Sequence, residues 1–428
     1  MQEFFDLNYW KNFFTSSPTR KRLTENFLSL SALQVVNYLL PLVTLPYLVR
    51  VLGPEKFGLV AFAQAFIMYF TILTNYGFNL SATREISINR ENKERVAEIF
   101  SSVIAIKILL GILSFIILAA ILAFIPRFGN DWLVYIFAFG MVLGNILFPV
   151  WFFQGMERMK YITILNIVAR GIFTVCIFIF IRKMADYLYV PLINSVGFLA
   201  AGGLSLRIVF KDFGIRYSFP TIEAIKYQLK EGWHVFISTA SISLYTTSNA
   251  FILGIFTNNT IVGYYSAAEK LIHAAQGLLT PVSQTVYPYF SKLYSENKQR
   301  AVIILKKLLL LIGSTTLLVS IAISIFTPLI VRIVLGLSFL ESIPVLRILI
   351  FIVFAIGVNN ILGIQGLVAF GYKREFAKIV GICSLFHLGM ITILVLRYSL
   401  IGVAIGTVIT ESLIGIIEYS VLKRKKIL

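Results

Sequence analysis

The sequence has few charged residues. Asp, Glu, Lys and Arg make up 14% of its 428 residues, whereas 58% are hydrophobic. Soluble domains carry about 25% charged residues, so a soluble globular protein is excluded. Apolar runs of roughly 20 residues, the length that crosses about 30 Å of hydrocarbon, recur along the whole chain. The sequence therefore predicts an all-α polytopic membrane protein.

Cysteine and histidine are also scarce. Cys176 and Cys383 stand alone within apolar runs and are predicted to be small packing residues, without disulfide or metal-ligand spacing. His234, His273 and His387 lie on separate predicted spans. Neither an H-E-x-x-H motif nor a G-x-x-x-x-G-K-[ST] loop occurs. We therefore predict no metal, no cofactor and no ATP-driven transport by this chain, and we do not expect an enzyme.

Acidic residues are outnumbered, with 20 against 38 basic residues. Lys and Arg gather in alternate loops at about three times the number found in the intervening loops, the distribution typical of cytoplasmic loops. The basic loops lie near 11–22, 84–95, 158–160, 211–230, 292–307, 373–378 and 423–426. We therefore predict that both termini are cytoplasmic and that no nucleic acid is bound. A cleavable signal peptide is not expected, because no small-residue cleavage site follows the first apolar run.

The apolar runs predict twelve spanning helices. They lie near 24–48, 59–80, 101–124, 132–153, 161–181, 188–209, 233–256, 261–287, 302–326, 345–369, 377–396 and 402–421. The longest polar connection, a cytoplasmic linker at 211–232, separates an N-terminal six-helix bundle (24–210) from a C-terminal one (233–421). Residues 1–23 are predicted to be a cytoplasmic segment, either interfacial or a flexible tail, and residues 422–428 a basic cytoplasmic tail.

The two halves resemble each other weakly. FGLVAFAQAF (57–66) corresponds to VGYYSAAEKL (262–271), which aligns Gly58 with Gly263 and Gln64 with Glu269. QGMERMK (154–160) corresponds to FGYKREF (370–376). Both copies have the same orientation, so the bundles are expected to be pseudo-symmetric about an axis along the membrane normal, an arrangement common in transporters.

Several charged residues fall deep within predicted spans. At about 1.5 Å per residue, Lys270 and Arg170 lie about 13 Å from the nearer span end, and Lys107 about 10 Å. A charge at the centre of a span costs about 2.5–3.5 kcal/mol, so such groups face water or pair with an acid. For Lys270 two interpretations stay open, a watery cavity and an ion pair with Glu411. Glu269 is a poor partner, because adjacent helical residues do not face each other.

Polar amides are spread over the spans of both halves. They are Asn37, Gln64, Asn75, Asn79, Asn145, Gln154, Asn249, Asn359, Asn360 and Gln365. A single amide within a membrane more often links two helices than binds a ligand. As a set, and together with aromatic residues, the amides favour a polar interior suited to sugars.

Three segments carry a resemblance to a known family. LPLVTLPYLVRVLGPEKFGLVAFAQAF (40–66), FPVWFFQGMERMKYI (148–162) and VGYYSAAEKLIHAAQGLLTPVSQTVYPYFSKL (262–293) resemble Wzx-type O-antigen and polysaccharide flippases. These proteins belong to the multidrug/oligosaccharidyl-lipid/polysaccharide exporter superfamily. The resemblance covers nearly all of 24–421. The matching residues are Arg50, Gly53, Gly58, Gln154, Gly155, Glu269 and Lys270.

The resemblance implies two six-helix bundles in a V, within the bacterial inner membrane. It implies movement of undecaprenyl-diphosphate-linked oligosaccharide repeat units from the cytoplasmic to the periplasmic leaflet by alternating access. The expected partners are this lipid-linked substrate, membrane lipids and, as a further possibility, a polysaccharide polymerase and a chain-length regulator. Sequence varies widely among such flippases, so binding roles do not transfer with the fold.

The candidate site combines the deep charges with the matched polar residues. Its predicted cavity residues are Lys270, Arg170, Lys107, Glu269, His273, Gln64, Gln154 and Arg50. Glu269, His273 or Glu411 are candidates for ion coupling. Two other function classes remain as alternatives. A cation-coupled multidrug exporter would need a dominant acidic pocket, and a polymerase or ligase would need a large outer loop bearing Arg and His.

Overall fold

The computed structural model describes residues 18–277, 279, 290, 293–294, 296–425 and 427–428. Within these residues the chain is helical and forms no β-strand. The principal helices are α1 (Pro18–Asn75), α2 (Phe78–Ile88), α3 (Lys93–Phe124), α4 (Trp132–Leu147), α5 (Val150–Gly155), α6 (Met159–Phe180), α7 (Tyr189–Lys211), α8 (Ile222–Phe256), α9 (Asn259–Gly277), α10 (Lys298–Ile330), α11 (Ser342–Leu349), α12 (Phe351–Asn359) and α13 (Lys373–Arg424). A π-helical segment, Asn360–Val368, continues α12.

Eight helical segments of the described chain are long and apolar enough to cross a membrane. They are Val36–Ile88, Lys93–Phe124, Trp132–Gly155, Met159–Phe180, Met184–Lys211, Lys298–Leu335, Ser342–Val368 and Lys373–Arg424. The first and last contain 53 and 52 residues, enough for two spans each. The predicted all-α, multi-pass class is confirmed. The predicted eighth span, 261–287, and segment 1–23 lie partly outside the described residues.

Two of these long helices bend where the sequence predicts a break between spans. In α1 the break is at Gly53, whose φ of 67° and ψ of 174° are non-helical. Glycine tolerates a positive φ, and Pro54 then supplies the fixed φ suited to the first turn of the next helix. In α13 the bend is at Ser399, with a φ of 48°. A non-glycine residue in that region carries backbone strain, so the surrounding packing holds this turn in place.

The predicted linker 211–232 is partly helical. Helix α7 ends at Lys211 and α8 begins at Ile222, so residues 222–232 are helical. Ile225 and Leu229, four residues apart, pack against a buried core, and Gln228 donates a hydrogen bond of 2.8 Å to Glu85 Oε2. The helical part of the segment is amphipathic: most of its residues are polar, but one face is apolar.

The chain forms two compact units. One comprises Met1–Asn37, Phe70–Val175 and Leu192–Ile237, and the other comprises Tyr38–Tyr69, Cys176–Pro191 and Ser238–Leu428. The first has a core rich in aromatic side chains, including Phe78, Phe100, Trp151 and Phe152. These units divide the chain differently from the sequence halves 24–210 and 233–421, because residues 38–69 and 176–191 pack with the C-terminal half. The two repeats as bundles stay a prediction.

Candidate substrate-binding site

Two glycines that correspond in the internal repeat meet in the second unit. A Cβ on Gly58 of α1 would lie 1.7 Å from the carbonyl oxygen of Asn259, and one on Gly263 of α9 would lie 2.1 Å from that of Pro54. Real Cβ atoms do not approach backbone atoms so closely, so both positions require glycine. The crossing brings the Phe57 turn of α1 against α9, the helix that carries Glu269 and Lys270.

At this crossing the ammonium group of Lys270 lies over an aromatic ring. Its Nζ lies 5.0 Å from the centroid of the Phe57 ring, which is within the range of a cation–π interaction. Lys270 is partly buried. Among the described residues no carboxylate lies within ion-pair distance of it. Binding of an anionic ligand by Lys270 stays a prediction.

Glu269 faces a different group. Tyr265, one turn earlier on α9, donates a hydrogen bond of 2.9 Å to Glu269 Oε1. That Glu269 is a poor partner for its neighbour Lys270 stays a prediction. Tyr265 is only 1% exposed, and the side chains of Asn249 and Thr407 also lie within hydrogen-bonding range of it. Glu269 is therefore joined through Tyr265 to the interior of the second unit.

That interior contains a buried polar network which the sequence analysis missed. His387 of α13 is fully buried, and its Nε2 lies 2.9 Å from Asn249 Oδ1 while its Nδ1 lies 2.8 Å from Thr410 Oγ1. Asn249 also donates to Thr407 Oγ1 over 3.2 Å. The sequence showed His387 only as an isolated histidine. Its spacing from Asn249, 138 positions along the chain, gives no local signal.

Glu411 takes part in a neighbouring polar contact on the same helix. Asn359 Nδ2 donates to both the carbonyl oxygen and Oε2 of Glu411, each over 2.9 Å. The predicted ion pair between Lys270 and Glu411 is absent from the described residues. The interpretation of Lys270 as a cavity cation was the alternative to this pair.

The other predicted site residues of the second unit are more exposed than the buried network around His387. His273 is exposed and its Nδ1 lies 2.9 Å from Gln276 Oε1, one turn later on α9. Gln64 is partly buried and follows Phe57 by seven residues, so the two share one face of α1. Arg50, at the bend of α1, donates to the carbonyl oxygen of Ile333. This bond ties the bend to the π-helical turn Val331–Leu335, which follows α10.

Lys107, in the first unit, is a buried cross-link. It is 1% exposed, and its Nζ donates to Asn75 Oδ1 over 3.2 Å and to the carbonyl oxygen of Asn145 over 3.0 Å. The three groups belong to α1, α3 and α4, so the ammonium holds three helices together. Substrate binding by Lys107 stays a prediction.

Replacing Lys107 with methionine is expected to lower the free energy of unfolding by about 1–3 kcal/mol, because two buried oxygens lose their donor while side-chain length is kept. The measurement is thermal unfolding of the purified protein in detergent. Ile108→Met, at the exposed neighbouring position, is the matched control and is expected to leave the transition unchanged. Equal transition temperatures for Lys107→Met and the parent protein would contradict the cross-link.

Arg170, also in the first unit, is partly buried on α6. Its Nε is buried and has no hydrogen-bond partner among the described residues. A guanidinium presents five N–H donors in a planar fork that fits phosphate oxygens. The Nε of Arg170 therefore retains donor capacity, and anion binding by this residue stays a prediction.

Gln154 and Gly155 lie at the end of α5, where this helix packs on α2. Thr83 Oγ1 donates to Gln154 Oε1 over 3.4 Å, and a Cβ on Gly155 would lie 2.7 Å from Ile86. Arg90 then closes the turn, with an Nη2 to Glu157 Oε1 distance of 2.8 Å. The matched Q-G pair thus serves helix packing, and a binding role for Gln154 stays a prediction.

Comparison with known proteins gives the family. A sequence model described as "Polysaccharide biosynthesis protein" matches residues 23–294. A protein of Escherichia coli (strain K12) named "Putative O-antigen transporter" is 36% identical over 411 residues, covering 95% of this chain and 98% of that protein. The chain belongs to the polysaccharide biosynthesis protein family. A Shigella dysenteriae member with the same name is 29% identical, over 92% of this chain and 98% of its own length.

Solved structures of two transporter types share the fold of this family member. Lipid II flippase MurJ, in an inward closed conformation, aligns with a TM-score of 0.71 at 15% identity, covering 94% of this chain and 87% of its own. An inward-facing multidrug resistance MATE family transporter of the MOP superfamily aligns with a TM-score of 0.70 at 16% identity, covering 93% and 98%. The predicted exporter fold class is confirmed by these alignments.

The match to the family includes most of the predicted site. Arg50, Gln64, Lys107, Gln154, Arg170, Glu269, Lys270 and His273 all lie within residues 23–294. Glu411 and the network histidine His387 lie beyond it. The deep cations of both units therefore fall within the residues that the family model matches, whereas the α13 groups lie outside them.

Proposed function

We propose that this protein is a flippase for lipid-linked oligosaccharides. It moves repeat units of O-antigen or a related surface polysaccharide, attached to undecaprenyl diphosphate, from the cytoplasmic to the periplasmic leaflet of the bacterial inner membrane. The observation that carries the proposal is the 36% identity to the E. coli protein named "Putative O-antigen transporter", which extends over 95% of this chain. The MurJ-like fold is a second support.

The deep cations suit the chemistry of this substrate. A diphosphate needs positive donors on its path, and the sugar needs hydrogen bonds, while the polyprenyl tail stays in lipid. Lys270 above Phe57 and Arg170 with an unsatisfied Nε meet the first need in the two units. Glu269, His273, Gln64, Gln154 and Arg50 contribute the second. We propose alternating access by movement of one helical bundle against the other, with both termini in the cytoplasm.

The membrane potential favours export without ATP. One elementary charge crossing 100 mV corresponds to about 2.3 kcal/mol, so a doubly charged diphosphate leaving a negative cytoplasm gains up to about 4.6 kcal/mol. Use of the lipid-linked unit outside by a polysaccharide polymerase, acting with a chain-length regulator, adds a further pull. Glu269, His273 and Glu411 are the residues proposed to couple an ion to this movement.

Deletion of the gene is expected to abolish surface polysaccharide and to leave the lipid-linked repeat unit in the cytoplasmic leaflet. The measurement is mass spectrometry of the lipid-linked intermediates, with glycosidase access from outside scoring the leaflet, and re-expression of the chain as the control. A lipid-linked unit that reaches the outer leaflet at the normal rate in the deletion strain would contradict the proposal.

The MATE-like fold favours one second candidate, a cation-coupled multidrug exporter. That function predicts drug hypersensitivity of the deletion strain with normal surface polysaccharide. A polymerase or ligase predicts instead single-unit chains or free polymer on the outer side. The deletion strain thus distinguishes all three functions by drug profile, intermediate and chain length.

A further inference from the structure

A carboxyl group without a partner lies buried in the second unit. Glu418 of α13 is 0% exposed, and both of its carboxyl oxygens are buried without a hydrogen-bond partner among the described residues. A glutamate in this position differs from Glu269 and Glu411, which accept hydrogen bonds from Tyr265 and Asn359. Neither the resemblance nor the proposed transport site accounts for Glu418.

The surroundings of Glu418 are apolar. It lies within a cluster of buried hydrophobic residues from the π-helical segment, both halves of α13 and α10, among them Ile361, Leu362, Ile414 and Leu422. Gly363 of the π-helical segment leaves the space for its carboxyl, because a Cβ there would lie 2.4 Å from Glu418 Oε1. The packing therefore leaves room for the Glu418 carboxyl oxygen, yet none of the described residues donates a hydrogen bond to it.

Few titratable groups face this carboxyl. On its own helix Glu411 lies seven residues earlier, and Cys383 of the first half of α13 is buried nearby. Gln365 of the π-helical segment is a buried amide. The ion pair between Glu375 and Lys425, with an Nζ to Oε1 distance of 3.6 Å, joins the beginning of α13 to the residue that follows its end. None of these described groups supplies a positive charge to the Glu418 carboxyl.

An ionised carboxylate cannot remain in such a place. Burial of an unpaired charge in a low-dielectric region is prohibitive, and the group takes up a proton instead. π-helical segments within helices frequently occur at functional sites, because their wider turns loosen the backbone ladder. We propose that Glu418 is a proton-binding site, occupied in this conformation, which releases its proton when the Asn360–Val368 segment moves during the transport cycle.

Use of the proton in a cycle rests on the function proposed above, whereas proton binding itself does not. The carboxylate accepts one proton to become a neutral carboxylic acid, and release regenerates the carboxylate and a free proton. Release requires water or a cation to reach the pocket, so it is linked to opening of the apolar cluster. Protonation thereby stabilises the closed arrangement of this part of the unit.

Labelling with dicyclohexylcarbodiimide tests the proton directly, because this apolar reagent reacts with protonated buried carboxyl groups. At pH 7 an ordinary glutamate, titrating near about 4.3, is almost fully ionised. We expect a stable adduct on Glu418 of the full-length protein at pH 7, found by peptide mass spectrometry, and none at that position in Glu418→Gln. Glu411→Gln, one heptad away, is the matched control and keeps the Glu418 adduct.

Thermal unfolding provides a second readout. If the folded protein holds a proton that the unfolded chain has lost, raising the pH from 5 to 8 favours unfolding. The parent protein should therefore lose stability over this range by more than Glu418→Gln, which cannot ionise. Absence of the adduct at pH 7, equal pH dependence of the two proteins, or protection of Glu418 by sodium at constant pH would overturn the proton site.

The role of Glu418 in transport is tested separately, by the surface polysaccharide of the Glu418→Gln variant. Glu418→Gln keeps the neutral form permanently, so we expect normal protein abundance with surface polysaccharide reduced about tenfold, a factor that corresponds to about 1.4 kcal/mol. Normal polysaccharide in this variant would overturn proton release during the cycle. An adduct on Glu418 in a protein shown to carry another substrate would leave the proton site standing and reject only the proposed function.

Discussion

Replacing Lys270 with alanine is expected to reduce surface polysaccharide between about tenfold and about 150-fold at unchanged protein abundance. Hydrogen bonds to charged groups contribute about 1.5–3 kcal/mol, and each 1.4 kcal/mol is a factor of about ten. The ammonium contacts an aromatic ring and no described carboxylate, so its loss leaves no buried acid unpaired there. The measurement is surface polysaccharide in a deletion strain that expresses each variant, with membrane abundance determined by immunoblot.

Two variants separate charge from packing at this position. Lys270→Arg keeps the cation and is expected to retain most export. Lys298→Ala removes an exposed lysine that also lies over a ring, with 5.9 Å between its Nζ and the Tyr294 centroid, and is expected to have no effect. Normal polysaccharide in Lys270→Ala would contradict the role of Lys270.

Arg170→Ala belongs to the same experiment. The double variant Lys270→Ala/Arg170→Ala is expected to export less than either single variant, and the deviation from additivity measures whether the effects of the two cations on export are coupled. Independent, fully additive effects would indicate that the two groups act on different parts of the substrate. Normal export in the single and double variants would show that neither cation serves transport.

The sequence predicted the helices and the deep charges well, for a physical reason. A span needs about 20 apolar residues whatever its neighbours are, so its position is a local property of the chain. The same holds for the bend at Gly53–Pro54 and for Lys270, which stands out because a lysine at that depth is rare. The alignment of Gly58 with Gly263 was also local, and the structure adds that the two residues lie at one crossing.

What a charge contacts was less predictable. Lys107 and Lys270 look alike in sequence, yet one binds Asn75 and Asn145 and the other lies over Phe57. The network around His387 joins residues of α8, α9 and α13, and such tertiary contacts leave no periodic signal. The helix beginning at Ile222 was missed because only one narrow face of it is apolar.

The π-helical segment at Asn360–Val368 had no sequence signature either. Its residues, NILGIQGLV, read as an ordinary apolar span interrupted by two glycines. The need for glycine at 363 comes from the Glu418 carboxyl and the Phe376 ring beside it, 55 and 13 positions later in the sequence. A buried group and the gap that receives it can be recognised only after the helices are packed.

The crossing of α1 and α9 makes the second prediction with a large effect. Gly58→Ala and Gly263→Ala each place a Cβ against a backbone carbonyl of the opposite segment, at 1.7 Å from Asn259 and 2.1 Å from Pro54. A flexible side chain could rotate away from the added Cβ, but a backbone carbonyl cannot, so the two helices must move apart. We expect a loss of unfolding free energy at or above the upper end of the about 1–3 kcal/mol typical of overpacking. Thermal unfolding in detergent and membrane abundance measure it.

A matched control, Gly389→Ala, is expected not to lower the stability. Gly389, within α13 of the same unit, has nothing within 4 Å of an added Cβ. Gly389→Ala is therefore expected to leave stability unchanged or to raise it by up to about 1 kcal/mol, because alanine is the better helix former. Because Lys270 reaches Phe57 across the crossing, the two alanine variants should also reduce export beyond their loss of abundance. Stable, fully active Gly58→Ala and Gly263→Ala proteins would show that the helices do not cross at these glycines, and the position of Lys270 above Phe57 would lose its structural basis.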